Sequence, residues 1–81
     1  MTILLFGLTR DIVGDSSIEV PREKATSIST VDKLKQFVFG QFPELKKITS
    51  IAVAVNNEYA TDGTPIGESD EIALIPPVSG G

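Results

Sequence analysis

Cysteine and histidine are absent from all 81 residues. Without a thiol or an imidazole the chain has no cysteine nucleophile, no serine–histidine relay, no zinc finger and no disulfide staple. Any chemistry it performs falls to carboxylates, hydroxyls, amines or the chain ends. Basic residues are scarce as well. Seven Lys and Arg stand against eleven Asp and Glu, a net charge of -4. That balance opposes binding to nucleic acid or to an anionic membrane, both of which need clustered cations to neutralise phosphates. There is no apolar run long enough to span a bilayer, and the stretch from Ile3 to Leu8 lacks the basic flank of a signal peptide. The expected location is therefore cytoplasmic. A Gly-rich phosphate loop, a cluster of metal ligands, a linker, an internal repeat and a low-complexity tract are all missing too.

What remains is one small domain. A chain of this length buries only about 60% of its unfolded surface and has little room for a deep catalytic cleft, so a partner is expected. The charge is unevenly placed. No basic residue follows Lys47, whereas Glu58, Asp62, Glu68, Asp70 and Glu71 all lie beyond it. An acidic second half of this kind steers toward a basic partner surface.

Residues 2–9 form a short apolar run that predicts a first strand, ending in a turn around Arg10 to Asp15 where Gly14 supplies a positive φ. Ser17-Ile18-Glu19-Val20 alternates with period 2 and stops at Pro21, as an edge strand does, so the two segments read as a hairpin. From Thr30 the period becomes helical. Thr30 is the N-cap, Asp32 sits in the first turn, and Val31, Leu34, Phe37 and Val38 share one face, with Phe39 off that stripe. Gly40 and Pro43 end the helix near Gln41. Ile51-Ala52-Val53-Ala54-Val55 is a buried strand, Asn56-Asn57 a left-handed turn, and Glu58-Tyr59-Ala60 a short return. Glu71 to Ile75 is the last strand, closed by Pro76-Pro77.

A helix between a hairpin and later strands implies an α+β fold, one mixed sheet with one main helix across one face and the other face bare. Strand phase indicates what lies on the bare face. Glu71 shares its phase with Ala73 and Ile75, while Thr2 shares its phase with Leu4, Phe6 and Leu8, so Phe6 and Ile75 fall on one exposed apolar patch. Arg10, beyond the first strand, is either a partner contact or a solvated surface group. Asp70 and Glu71 are adjacent on a strand and point to opposite faces, which makes them solvated carboxylates and not a catalytic pair.

The most specific feature is the end, Pro76-Pro77-Val78-Ser79-Gly80-Gly81. Two prolines launch an extended path, and two glycines leave no Cβ beside the final carboxylate. Residues 77–81 reach about 16 Å at roughly 3.3 Å per residue, enough to enter a channel too narrow for side chains. The division expected is a domain over 1–75 and a tail over 76–81.

This order of elements with a closing Gly-Gly resembles the ubiquitin-like β-grasp sulfur carriers, and within them the small subunits of molybdopterin synthase. The resemblance covers essentially the whole chain. It is carried by Phe6 through Gly14, Thr30-Val31, Val55-Asn56, Asp70-Glu71-Ile72-Ala73 and above all the Pro-Pro-Val-Ser-Gly-Gly end. It implies a carrier that is not an enzyme by itself and binds no cofactor. An activating enzyme spends ATP to adenylate the Gly81 carboxylate, and sulfur then replaces AMP to leave a thiocarboxylate. Pro77, Val78, Ser79 and Gly80 would enter a large subunit, Phe6, Ile75 and Arg10 would hold the carrier on it, and sulfur would pass to cyclic pyranopterin monophosphate. The implied assembly is a heterotetramer of two small and two large subunits. Neighbouring readings are a carrier for thiamine synthesis or tRNA thiolation, a ubiquitin-like modifier joined to lysines through Gly81, and a plain interaction module.

Overall fold

The computed structural model describes residues 1–48 and 50–77. Its five strands are β1 (Thr2–Leu5), β2 (Ser17–Glu19), β3 (Ala52–Val55), β4 (Glu58–Ala60) and β5 (Ile72–Ile75). They form one sheet in the order β2-β1-β5-β3-β4, with β1 and β5 parallel at the centre and every other pair antiparallel. The main helix, α3 (Val31–Gln41), covers one face; shorter helices α1 (Gly7–Val13) and α2 (Arg22–Ala25) and a 3-10 turn over Pro43–Lys47 complete the chain. This is the β-grasp architecture that the element order implies.

Alternation along the strands sorts the side chains. Ile3, Leu5, Val53, Ile72 and Leu74 point to the helix side and are at most 2% exposed, against Val31, Leu34 and Val38 of α3 at 0%. Each such side chain contributes about 1.5–3 kcal/mol by leaving water, so this layer contact is the principal source of stability. The expected cap is present. The Thr30 hydroxyl accepts from the Lys33 N–H at 3.3 Å, which stabilises the helix start by about 1 kcal/mol. Phe37 and Phe39 flank the buried stripe half-exposed. The Asn56-Asn57 turn adopts positive φ at both residues, +52° and +69°, and returns β3 into β4.

The first twenty residues correct the sequence reading. β1 stops at Leu5 instead of running to Thr9, and the supposed turn around Arg10 is helix α1. β1 and β2 pair antiparallel, but a helix and not a hairpin turn connects them. The cause is local. Gly7 takes φ +54°, which ends the extended path, and the Thr9 hydroxyl accepts from the Phe6 N–H at 3.0 Å while donating to the Phe6 carbonyl at 2.6 Å. Thr9, Ile12 and Val13 then turn inward at helical spacing. Gly14 has the positive φ expected of it, +84°, but spends it closing a helix, with its N–H donating to the Arg10 carbonyl at 2.8 Å. Helix α2 and the 3-10 turn are likewise absent from the sequence reading.

Candidate functional site

The sheet face away from α3 is bare and carries Leu4, Ala54, Tyr59, Ala73 and Ile75 in register. Leu4 pairs with Ala73, Ala54 with both Ala73 and Tyr59, and Ala52 with Ile75. Small residues at 54 and 73 leave a shallow hollow, walled by Leu4, Phe6, Tyr59 and Ile75. Tyr59 is 76% exposed and Phe6 49%, far more than apolar bodies of that size ordinarily are in a closed domain. Asn57 and Glu71 add polar atoms to the lining. Such a surface receives a protruding apolar side chain.

Phe6 and Ile75 thus meet at one place, as the strand phases predict, although Phe6 reaches it from the cap of α1 and not from a strand. Thr9 is the residue that sequence reasoning missed. It is the buried polar residue of this region, 0% exposed, and its hydroxyl clasps both backbone groups of Phe6. A threonine three residues after Phe6, with a glycine between them, is the signal that would have found it. Replacing Thr9 with Val keeps the shape but strands the Phe6 N–H; the expected loss is about 1–3 kcal/mol in urea unfolding, with Phe6 loosened from the hollow.

Arg10 sits on α1, exposed, and is not among the residues lining the hollow. Among the described residues it makes no ion pair. Pro77 is exposed just past β5. Val78, Ser79, Gly80 and Gly81 lie outside the described residues.

The acidic second half is more engaged than its composition implies. Asp62 accepts from Lys35 at 2.7 Å, and Glu68 lies 4.0 Å from Arg22. Asp70 accepts from the Asn56 side-chain amide at 3.0 Å and from the Gly67 N–H at 2.8 Å, while the Asn56 side-chain oxygen accepts from the Glu71 N–H at 2.9 Å. Asn56 therefore ties the loop before β5 to the turn after β3. Its hydrogen bond, followed by that of Gly67, holds the Asp70 carboxyl below its ordinary value of 3.8. A depressed carboxylate stabilises the fold above that ordinary value, and the contribution is lost as pH falls through the lower folded value. Asp70→Asn should accordingly flatten the fall in thermal midpoint below about pH 4, while a wild-type slope retained in the variant would assign that fall to other carboxylates. Among the described residues no group of three or more His, Cys, Asp or Glu is placed to hold a metal, and no helix is long and apolar enough to cross a membrane.

Known proteins are similar to this chain in both fold and sequence. Residues 3–81 match the ThiS family. The chain belongs to the ThiS family. A relative from Dictyostelium discoideum, named molybdopterin synthase sulfur carrier subunit, is 37% identical over 84 residues, covering 98% of this chain and 93% of that protein. Among solved structures, small archaeal modifier protein 1 (SAMP1) from Haloferax volcanii superposes with a TM-score of 0.78 at 28% identity, covering 99% of this chain and 97% of that one. A chain from the complex of subunits 1 and 2 of molybdopterin-converting factor from Helicobacter pylori superposes with a TM-score of 0.64 at 22% identity, covering 99% and 96%. In this ThiS-family chain the bare sheet face and Pro76-Pro77 lie together, because β5 supplies Ala73 and Ile75 to the hollow and then runs directly into the two prolines.

Proposed function

We propose that this chain is the sulfur-carrying small subunit of molybdopterin synthase. The observation that carries the reading is full-length similarity to a protein of that name, joined to a Gly80-Gly81 end. The apolar hollow at the foot of the tail agrees with it.

The chemistry that the resemblance implies agrees with what the chain lacks. With no cysteine it holds no persulfide on a side chain, and a free carboxylate is a poor acyl donor. An activating enzyme supplies the leaving group: a Gly81 carboxylate oxygen attacks the α-phosphorus of ATP, pyrophosphate departs, and an acyl adenylate forms. A sulfur nucleophile then displaces AMP at the Gly81 carbonyl and leaves a thiocarboxylate. Residues 76–81 act as the tail over the domain of residues 1–75, and Pro77, Val78, Ser79 and Gly80 thread it into the large subunit. There the sulfur passes to cyclic pyranopterin monophosphate and becomes part of the molybdopterin dithiolene. Phe6 and Ile75 bury against the large subunit, with Arg10 at the margin, in a heterotetramer of two small and two large subunits. The carrier itself holds no cofactor and no metal; acids, bases and phosphate-binding groups belong to its partners in the cytoplasm.

A second reading has a specific observation in its favour, the likeness to a protein named as a modifier. Intact mass separates the two. After incubation with ATP, a sulfur source and extract of the source cells, a carrier gains the mass difference between sulfur and oxygen at Gly81. A ladder of lysine-linked conjugates instead identifies a modifier, and no change at all marks an interaction module.

A further inference from the structure

We propose that Gly7 is a positioning residue for the tail: it forms the seat on which Pro76 rests, and so sets the direction in which the chain leaves the domain. The inference builds on the sulfur-carrier reading for its functional consequence; the seat itself stands on geometry.

β1 and β5 are parallel neighbours with Leu5 opposite Leu74, so the residues two positions beyond each, Gly7 and Pro76, emerge side by side at the same end of the sheet. A methyl group built on Gly7 lies 3.0 Å from Pro76 Cγ and 3.9 Å from its Cδ. Carbon atoms in contact prefer about 3.5–4.0 Å, so a side chain at residue 7 would push the ring away by a few tenths of an ångström. Of the glycines within the described residues, Gly14, Gly40 and Gly63 have open space at the corresponding position and Gly67 meets only the Asp70 carboxylate at 4.0 Å. Gly7 also has φ +54°, a conformation that L side chains rarely adopt. Two independent demands therefore converge on glycine at this position, one from its own backbone and one from the proline.

The consequence lies in the two prolines at the seat. Pro76 has a fixed φ and Pro77 restricts it from the other side, so a displaced Pro76 ring redirects the residues after it. A displaced ring therefore changes the heading of the chain at Pro77, from which Gly81 still has to reach its target. Misplacement by about 1 Å is enough to cost on the order of a hundredfold in a positioned reaction. Gly7 thus touches neither the partner's substrate nor the sulfur, yet governs where the sulfur is presented.

A double-mutant cycle on the full chain tests the seat. Thiocarboxylated wild type, Gly7→Ala, Pro76→Ala and the double variant are mixed with saturating large subunit and cyclic pyranopterin monophosphate, and single-turnover sulfur transfer is followed. Gly7→Ala should slow transfer about tenfold or more while leaving the dissociation constant for the large subunit within about threefold. In the Pro76→Ala background, where the ring is gone and only the backbone demand is left, adding Gly7→Ala should cost at least about fivefold less than it does in wild type. An equal loss in both backgrounds would overturn the proposal, because Gly7 would then act through the general fold. Should Gly7→Ala fail to fold, Gly7→Asn replaces it, since asparagine tolerates positive φ and still brings a Cβ against the ring. A nuclear Overhauser contact between the Gly7 α-protons and the Pro76 ring in the wild-type chain provides a readout independent of activity. Its presence supports the seat and its absence refutes it, even if wild type transfers no sulfur and the sulfur-carrier reading itself fails.

Discussion

A chain lacking Gly81 should unfold at the temperature of the full chain and accept no sulfur. The buried residues run from Ile3 to Leu74, so the core is closed before the tail begins and its midpoint should move by less than about 2 °C. The truncated chain still ends in a glycine carboxylate, at Gly80, and so keeps the functional group. What it loses is about 3.3 Å of reach. Nucleophile and phosphorus must approach to about 3–3.5 Å, so a shortfall of one residue removes adenylation instead of slowing it slightly. Pyrophosphate release by the activating enzyme measures this directly. Adenylation of the truncated chain at more than about a hundredth of the full-length rate would mean that the site reads the domain and not the tail tip.

The second large effect separates two neighbouring residues. Ile72, Leu74 and Val53 fill the helix side, whereas Ile75 stands half-buried on the open face beside the hollow. Leu74→Asp places an unpaired charge where the native side chain is 1% exposed. The lost packing costs about 2–5 kcal/mol and the stranded charge more, against a total stability of roughly 4–12 kcal/mol for a chain of this length. The domain should not fold. Ile75→Asp keeps its charge in water in the free chain and should cost about 1 kcal/mol or less of stability. Against the large subunit the same charge is buried, and affinity should fall by about thirtyfold or more. Circular dichroism and calorimetric titration of the two variants distinguish fold from interface. Unfolding by Ile75→Asp with tolerance of Leu74→Asp would invert the assignment of the faces.

Much of this molecule is legible in its residues, and the illegible parts share a cause. Helix α3 declares itself through Thr30, the Val31, Leu34 and Val38 stripe, and Pro43, because all three signals are local and agree. β3 to β5 do so through alternation and the Asn56-Asn57 turn. The start of the chain misleads because Ile3 to Leu8 is apolar throughout apart from Gly7, and a continuous apolar run does not distinguish strand from helix. Its break is set by the positive φ of Gly7 and the Thr9 hydroxyl on Phe6, and Gly7 also lies beneath Pro76, a residue from the opposite end of the sequence. The pairing of Phe6 with Ile75 is legible from phase alone, but not that Phe6 arrives there from a helix cap held by Thr9. The Asn56 clasp on Asp70 and Glu71 is equally non-local: two residues that read as solvated carboxylates serve partly to fix the loop that starts β5. Sequence spacing has no access to such contacts.

That Gly81 carries sulfur to a pterin is tested most directly by charging the chain with isotopically labelled sulfur, isolating it, and mixing it with the large subunit and cyclic pyranopterin monophosphate without any other sulfur source. Mass spectrometry of the pterin product should then find the label in the dithiolene, with the chain returned to an unmodified carboxylate. Label released as sulfide while conjugates to lysine accumulate, label that stays on the chain with no pterin product, or a dithiolene formed without label, would contradict it.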